Sequence, residues 1–579
     1  MATVAVDRPP AERPPAAEAP HGRLLQLSPY AREERLTAWF VGIAITAIAL
    51  GMLIGLLQAL EHAGINLYPY LTPFIHSYYQ GLTLHGVLNA LVWTTFFING
   101  FLIYIVVQAY KRPLAHPELA ELAFWLSLVG LVMAAIPMLT NDATVMFTFY
   151  PPLLASWSFY LGLTLVVIGT WIVTLVFVLT HRAWRADHPT ARIPLPALMS
   201  LVTFLMWSLA STGIAAEMLI FNIPLSLGVI DQTNPTIART LFWLTGHPIV
   251  YFWLLPAYVS WYTLVPRQVG GKLFSDPMAR LSFVLFLLLS SPVGLHHQFT
   301  DPGISSTWKL VHAFITFAVF FPSLLTFFNV VATLENGGRA RGGTGWIGWI
   351  WKLPWNDPTV TPQILAMMIF AFGGIGGLIN ASYDVNLAVH NSAWIVGHFH
   401  LTVGSAVTLT FMSISYWLLP RLCRRELWAP KLAMAQGWLW FVGMIIFSNA
   451  LHRLGLLDMP RRTAIGEATY VTQMATPVIE QWKALLPLVA VGGTLLAISG
   501  MIYILICVMT PLVGKRVTTP QPDLEFTEAQ AGPEHAPALL DRLDLWFIVA
   551  VVLIVVAYGP TLLELATTNG LTTPPRRVW

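Results

Sequence analysis

Six histidines lie inside apolar stretches of the chain: His85, His247, His296, His297, His398 and His400. An ionisable side chain within a membrane is expensive and is usually retained for function, and neutral imidazole is a common ligand of iron and copper. His398 and His400 share the run Trp394-Ile395-Val396-Gly397-His398-Phe399-His400-Leu401. Each helical residue turns by about 100°, so these two imidazoles point to nearly opposite faces. Such a helix can carry a metal centre on each side; the plain alternative is two polar residues satisfied by neighbouring helices. His296 and His297 are adjacent and cannot share one face of a regular helix. A helix end or local unwinding is expected there, and Pro292 and Gly294 supply the break. His247 and Tyr251 are spaced i, i+4, hence on one helical face and within contact distance.

The elements that must position these groups are membrane helices. The 579 residues are 56% hydrophobic and only 10% charged, far below the roughly 25% charged residues of soluble domains. About thirteen apolar segments, each near the ~20 residues that cross a bilayer, follow a Pro- and Ala-rich start. The expected fold is therefore all-α, a polytopic bundle of about 13 transmembrane helices. Residues 1–30 are expected to be a disordered cytoplasmic tail and 31–579 a single transmembrane domain. Cys423 and Cys507 are the only cysteines, which excludes a disulfide scaffold, a Cys-rich metal site or an iron–sulfur cluster on this chain. Nothing in the charge pattern supports nucleic-acid binding. The run Gly373-Gly374-Ile375-Gly376-Gly377 lacks the Lys-Ser/Thr of a phosphate loop and reads as close helix packing through small residues.

Charge orients the segments. With the N-terminus in the cytoplasm and sides alternating, the 31 basic residues fall on the cytoplasmic side except Arg239, Lys309, Arg453, Arg461, Arg462, Lys483, Arg576 and Arg577. The positive-inside rule supports this arrangement, with the C-terminus outside. All six intramembrane histidines then fall in the outer third of the membrane, a common depth that the basic residues had no part in setting. His21, His116, His181, His188 and His535 fall in loops and are expected to be solvated.

Ligand counting follows from that depth. A low-spin heme takes two axial histidines, an oxygen-binding heme takes one, and a copper facing it is suited by three imidazoles. Those demands add up to the six residues present. Below His247 and Tyr251, the stripe continues through Tyr258 and Tyr262 toward the cytoplasm, with Ser323 and Thr326 at compatible depth. A line of hydroxyls can carry protons inward to a buried site, although each of these residues singly fits aromatic packing or a helix-satisfied hydroxyl.

Four motifs resemble subunit I of the B-family, cytochrome ba(3)-type heme–copper cytochrome c oxidases. They are Gln80-Gly81-Leu82-Thr83-Leu84-His85-Gly86, Trp243-Leu244-Thr245-Gly246-His247-Pro248-Ile249-Val250-Tyr251, His296-His297-Gln298 and Gly397-His398-Phe399-His400. The likeness runs from about residue 30 to the end. It implies that His85 and His400 ligate a low-spin heme b. His398 would ligate a high-spin heme, a-type rather than b-type, and His247, His296 and His297 would hold the copper CuB. Tyr251 would be joined covalently to His247 and would give an electron and a proton to O–O cleavage. By the same resemblance Tyr258, Tyr262, Ser275, Ser323 and Thr326 form one proton-uptake path, and Arg461, Arg462 and His390 meet heme propionates. The implied setting is a prokaryotic inner membrane, with a CuA-bearing subunit II, cytochrome c as donor, dioxygen as substrate and a small single-helix subunit as a further neighbour.

Two positions depart from the family pattern, and a third separates the chain from A-family enzymes. Asn386 stands where relatives carry Asp, four residues before His390, with Asp384 nearby; Asn329 stands where Thr is expected in the uptake path. Ile249 replaces the Glu that follows the Pro in A-family enzymes, so a second, Glu-gated proton path should be absent. Two further readings within the superfamily are a nitric oxide reductase, with iron in the copper site and acidic residues beside it, and a quinol oxidase. A non-redox heme-containing membrane protein is the alternative from another class.

Overall fold

A computed structural model describes residues 28–519, 524–568 and 570–577. The tail expected over 1–30 lies outside the described residues as far as residue 27; residues 28–30 form the turn into the first helix. In lipid every backbone polar group must be satisfied within the protein, by helices or a closed barrel, and apolar runs of about 20 residues select the helix. Thirteen follow in order: α1 (Ala31–His62), α2 (Tyr78–Tyr110), α3 (Pro117–Leu139), α4 (Trp157–Asp187), α5 (Leu195–Ser226), α6 (Pro235–Gln268), α7 (Asp276–Leu289), α8 (Ser306–Ala340), α9 (Thr361–Ala381), α10 (Ala393–Cys423), α11 (Pro430–Leu456), α12 (Pro477–Val513) and α13 (Leu543–Thr567). Twelve are long and apolar enough to span a membrane. The exception is α7, whose α-helical part stops at Leu289 and continues after Pro292 as a 3₁₀ turn, Gly294–Gln298. That is the interruption expected from the adjacent histidines.

The bundle has an inner and an outer ring. In α2, α5 and α6 the apolar windows are 94%, 78% and 89% buried within the protein, against 22% for α13, which lies on the outside of the bundle. Small residues set the closest approaches. A Cβ on Gly130 of α3 would lie 2.4 Å from the carbonyl oxygen of Gly162 in α4, and the reverse substitution meets the same obstacle. The glycine run of α9 works likewise: a Cβ on Gly373 would meet Thr402, and one on Gly376 would lie 2.9 Å from His398 Nδ1.

Three helices widen into π turns, over Val87–Trp93, Met218–Asn222 and Thr402–Val407. The first begins two residues after His85 and the last two after His400, in keeping with the association of such turns with functional positions. At the end of α7 opposite the 3₁₀ turn, β1 (Leu273–Ser275) pairs in parallel with β2 (Ala529–Ala531) and ties the segment before α13 to the bundle. His181, expected in a loop, instead sits in the last turns of α4, where its Nδ1 meets the Tyr110 hydroxyl at 2.8 Å.

Candidate functional site

All six intramembrane histidines line one cavity of about 620 Å³. It runs along both sides of α10, so His398 and His400 open onto different parts of it, as their spacing requires. No Asp or Glu among the described residues lines it.

On one side His400 faces His85 of α2. Their ring centroids are 6.4 Å apart and the planes differ by 13°. That gap is too wide for contact and suits one metal atom between two imidazoles, each about 2 Å from a first-row metal on the zinc precedent. In both residues Nδ1 is occupied, at 2.8 Å from the Gly51 carbonyl for His85 and 2.8 Å from the Val396 carbonyl for His400, which leaves the two Nε2 atoms for a ligand. A Cβ on Gly55 would fall 2.6 Å from His85 Cε1, so only glycine leaves the ring this position.

On the other side three imidazoles converge. One ligand atom from each of His247, His296 and His297 lies within 4.8 Å of the others. His247 sits at a break in α6 between Pro235–Gly246 and Pro248–Thr263, where Pro248 supplies no N–H to continue the helix. Its Nδ1 faces His297 Nε2 at 3.3 Å. The indole of Trp243 stacks on His297 at 4.1 Å and 8°, and Thr316 Oγ1 meets His296 Nδ1 at 2.8 Å. Because the Thr316 hydroxyl donates its own proton to the His312 carbonyl at 2.6 Å, it must accept from His296 Nδ1–H. That fixes the tautomer, and His296 Nε2 presents its lone pair to the cluster. Tyr251 lies beside His247 with ring centroids 4.9 Å apart. Across the cavity His398 is the single imidazole, its ring backed by the Gly373 backbone of α9.

The donor set fits the hemes and copper that the resemblance implies: three clustered imidazoles, one facing pair and a single imidazole opposite the cluster. The cavity's polar end fits carboxylates. Arg461 Nε, Arg462 Nε and Arg462 Nη2 are buried and unpartnered. Burial, together with Arg462 alongside, pushes the Arg461 guanidinium down to about 9, the behaviour of a cation waiting for an anion. Arg461 Nη2 donates to Asn391 Oδ1 at 2.8 Å, which aims the head group. Burial alone would raise the Tyr150 phenol, but Arg462, Arg239 and Arg461 outweigh it and draw the phenol below its ordinary range. Burial, aided by Arg461, pushes His390 down to about 4, so it is neutral near pH 7. Its Nδ1–H then donates to Asn386 Oδ1 at 2.9 Å, while Asn386 Nδ2 donates to the Asn380 carbonyl at 2.7 Å.

Below the cluster Tyr258 faces Ser323, and Tyr262 faces Thr326, Ser282 and Asn329. Thr326 donates to the Pro322 carbonyl of its own helix at 2.9 Å. Ser275 caps α7, accepting from Met278 N–H, and Asn329 is clasped to its backbone: Oδ1 accepts the Ser275 N–H at 3.0 Å and Nδ2 donates to the Ser275 carbonyl at 2.7 Å. The departure at Asn329 thus has a local structural use. Sequence reasoning passed over Thr316, Asn89, Tyr150, Tyr558 and His312. The fully buried His312 braces the 3₁₀ turn, accepting from Leu295 N–H at 3.3 Å, with Nε2 3.1 Å from the Ala557 carbonyl. Its position inside α8 was a signal of the same kind as the other six.

Residues 35–495 match the sequence model of the family described as cytochrome c and quinol oxidase polypeptide I. The chain is 45% identical over 542 residues to a cytochrome c oxidase subunit 1 of Thermus thermophilus, covering 92% of this chain and 95% of that one. It is 28% identical over 473 residues to a cytochrome c oxidase polypeptide 1 of Halobacterium salinarum, covering 78% and 74%. Among solved structures, a heme–copper terminal oxidase dimer studied by cryo-EM superposes with a TM-score of 0.88 at 38% identity, over 94% of this chain and 95% of that one. A six-histidine cavity in this helix bundle and a family match over most of its length lead to one conclusion: the chain belongs to the heme–copper oxidases, as a cytochrome c and quinol oxidase polypeptide I.

Proposed function

We propose that the cavity holds a low-spin heme b between His85 and His400, a high-spin a-type heme on His398 and copper CuB on His247, His296 and His297. The chain is the catalytic subunit of a cytochrome c oxidase, reducing dioxygen to water in a multi-pass membrane complex. The observation that carries the site assignment is the convergence of six imidazoles from four segments on one cavity, three clustered, two facing and one alone. Bound there, the hemes and copper supply the redox chemistry that passes electrons to oxygen.

The protein's own groups do the rest. Tyr251, in contact with His247, is the phenol placed to give a proton at the reacting site. Tyr258, Tyr262, Ser275, Ser323 and Thr326 line its supply from the cytoplasmic side, and Arg461, Arg462 and His390 receive propionates. Subunit II is the expected partner and cytochrome c the donor. A CuA centre on subunit II is required by this reading, since the two cysteines, Cys423 and Cys507, lie outside the cavity lining. The N-terminus is assigned to the cytoplasm and the C-terminus to the outer face on the distribution of basic residues. Acidic groups that would favour nitric oxide reduction are missing from the lining of the described cavity.

Metal analysis and reduced-minus-oxidised spectra of the purified complex test the assignment. Two hemes with one copper in this subunit are expected; non-heme iron in place of copper overturns it. Thr316→Val provides a finer check. Without the hydroxyl, His296 loses the acceptor that fixes its tautomer, and copper affinity should fall by about 10- to 100-fold while both hemes remain. Copper retained through chelator dialysis as in the unmodified enzyme would refute that role for Thr316.

A further inference from the structure

The three heme-facing imidazoles differ in what holds their second nitrogen. His398 Nδ1 has only the Gly373 backbone of α9 beside it, and His400 Nδ1 has only the Val396 carbonyl of its own helix. His85 Nδ1 has two neighbours from different elements, the Gly51 carbonyl of α1 at 2.8 Å and the Asn89 carboxamide at 3.0 Å. Asn89 lies one turn beyond His85, within the π turn of α2. The fit against α1 is close. A Cβ on Gly51 would lie 2.2 Å from Asn89 Oδ1, and one on Gly55 would lie 2.6 Å from His85 Cε1. Two glycines one turn apart on α1 thus accommodate the histidine and the asparagine one turn apart on α2.

Hydrogen-bond valence decides how this contact works. An imidazole that binds metal through Nε2 carries its proton on Nδ1 and can only donate there. The Asn89 atom that faces it is the amide nitrogen, also a donor, while Asn89 Oδ1 is buried without a partner. The two ends of a carboxamide are alike in shape and are assigned from their hydrogen bonds. Turning the amide over replaces a donor facing a donor with an acceptor facing His85 Nδ1–H.

Resting on the assignment of His85 as an axial heme ligand, we infer that Asn89 is a positioning residue that tunes the low-spin heme, its amide oxygen sharing His85 Nδ1–H with the Gly51 carbonyl. A second acceptor makes the imidazole more basic. A more basic axial ligand favours the oxidised iron, which lowers the midpoint potential of the one-electron Fe(III)/Fe(II) couple. The two axial ligands of that heme are therefore inequivalent, His85 the more electron-rich.

Spectroelectrochemical titration of the low-spin heme band in the purified complex is the test. Asn89→Leu should raise the midpoint relative to the unmodified enzyme, and Asn89→Asp, with a stronger acceptor, should lower it. Both should keep the low-spin spectrum. Unmoved midpoints, or shifts of the same sign in both variants, overturn the inference. If Asn89→Leu does not assemble, Asn89→Asp decides alone, and an unchanged or raised midpoint is the contrary result. His85→Leu separates this inference from the assignment beneath it. Persistence of the low-spin spectrum in that variant would mean that the ligand assignment itself has failed.

Discussion

Tyr251→Phe is expected to cut oxygen consumption by about 10²- to 10⁴-fold, the usual worth of a positioned proton donor, while copper and heme contents stay at their unmodified values. The ring is held from two sides, by His247 with centroids 4.9 Å apart and by Phe286 at 5.5 Å. Phenylalanine preserves that packing and removes only the hydroxyl. The large effect follows from isolation. Among the described residues lining the cavity Tyr251 and Tyr78 are the only phenols, and Tyr78 belongs to the His85 side, within ring contact of His62. No Asp or Glu lines the cavity to take over the role. Tyr258 lies further along α6, outside the cavity lining, and contacts the same Phe286 ring. Oxygen consumption by the purified complex with reduced cytochrome c, measured beside its metal content, checks the expectation. Activity within a few-fold of the unmodified enzyme at full metal occupancy would remove Tyr251 from the chemistry.

The placement of the six histidines was legible because its constraints are local. Helical periodicity alone sends His398 and His400 to opposite faces, and the structure puts one opposite His85 and the other beside Gly376. Adjacent histidines after Pro292 and Gly294 required a broken helix, and the 3₁₀ turn is that break. The groups that hold these histidines were not legible, because their partners are distant in sequence. Tyr558 accepts the Gly294 N–H at 2.7 Å from 264 residues away, and Gly51 reaches His85 from 34 residues away. Periodicity within one segment carries no information about either. Asn329 shows the converse. It stands where the sequence pattern expects Thr, and the reason for it lies in the backbone of Ser275, outside the helix that carries it, which supplies its partners.

Removing the Arg280 side chain should have the largest effect on stability. Arg280 is 1% exposed and pairs with two carboxylates, Asp276 one turn before it on α7 and Asp541 at 2.8 Å, while its Nη2 donates to the Ile193 carbonyl at 2.8 Å. Arg280→Met leaves both carboxylates without their buried cation, a change that costs about 3–5 kcal/mol. The damage should reach the three-histidine cluster proposed to hold copper, because two connections start at this charge cluster. Along α7 the chain runs to the turn bearing His296 and His297. Through Asp541 it runs into α13, whose Tyr558 and Ala557 hold that turn by way of Gly294 and His312. Arg192, which also reaches Asp541 but at 3.4 Å and with a quarter of its side chain exposed, should cost less than about 1 kcal/mol when replaced. Thermal inactivation of the purified complex, read as both activity and bound copper, separates the two. If α13 is seated by these charges, Arg280→Met loses copper at markedly lower temperature and Arg192→Met does not. Replacing Arg280, Asp276 and Asp541 together with apolar residues of similar volume should restore much of the lost stability, since no fully buried charge is then left unpaired and the partly exposed Arg192 keeps the Ala536 and Pro537 carbonyls as acceptors. A triple variant as fragile as Arg280→Met would show that the cost lies in packing around the guanidinium rather than in the stranded carboxylates.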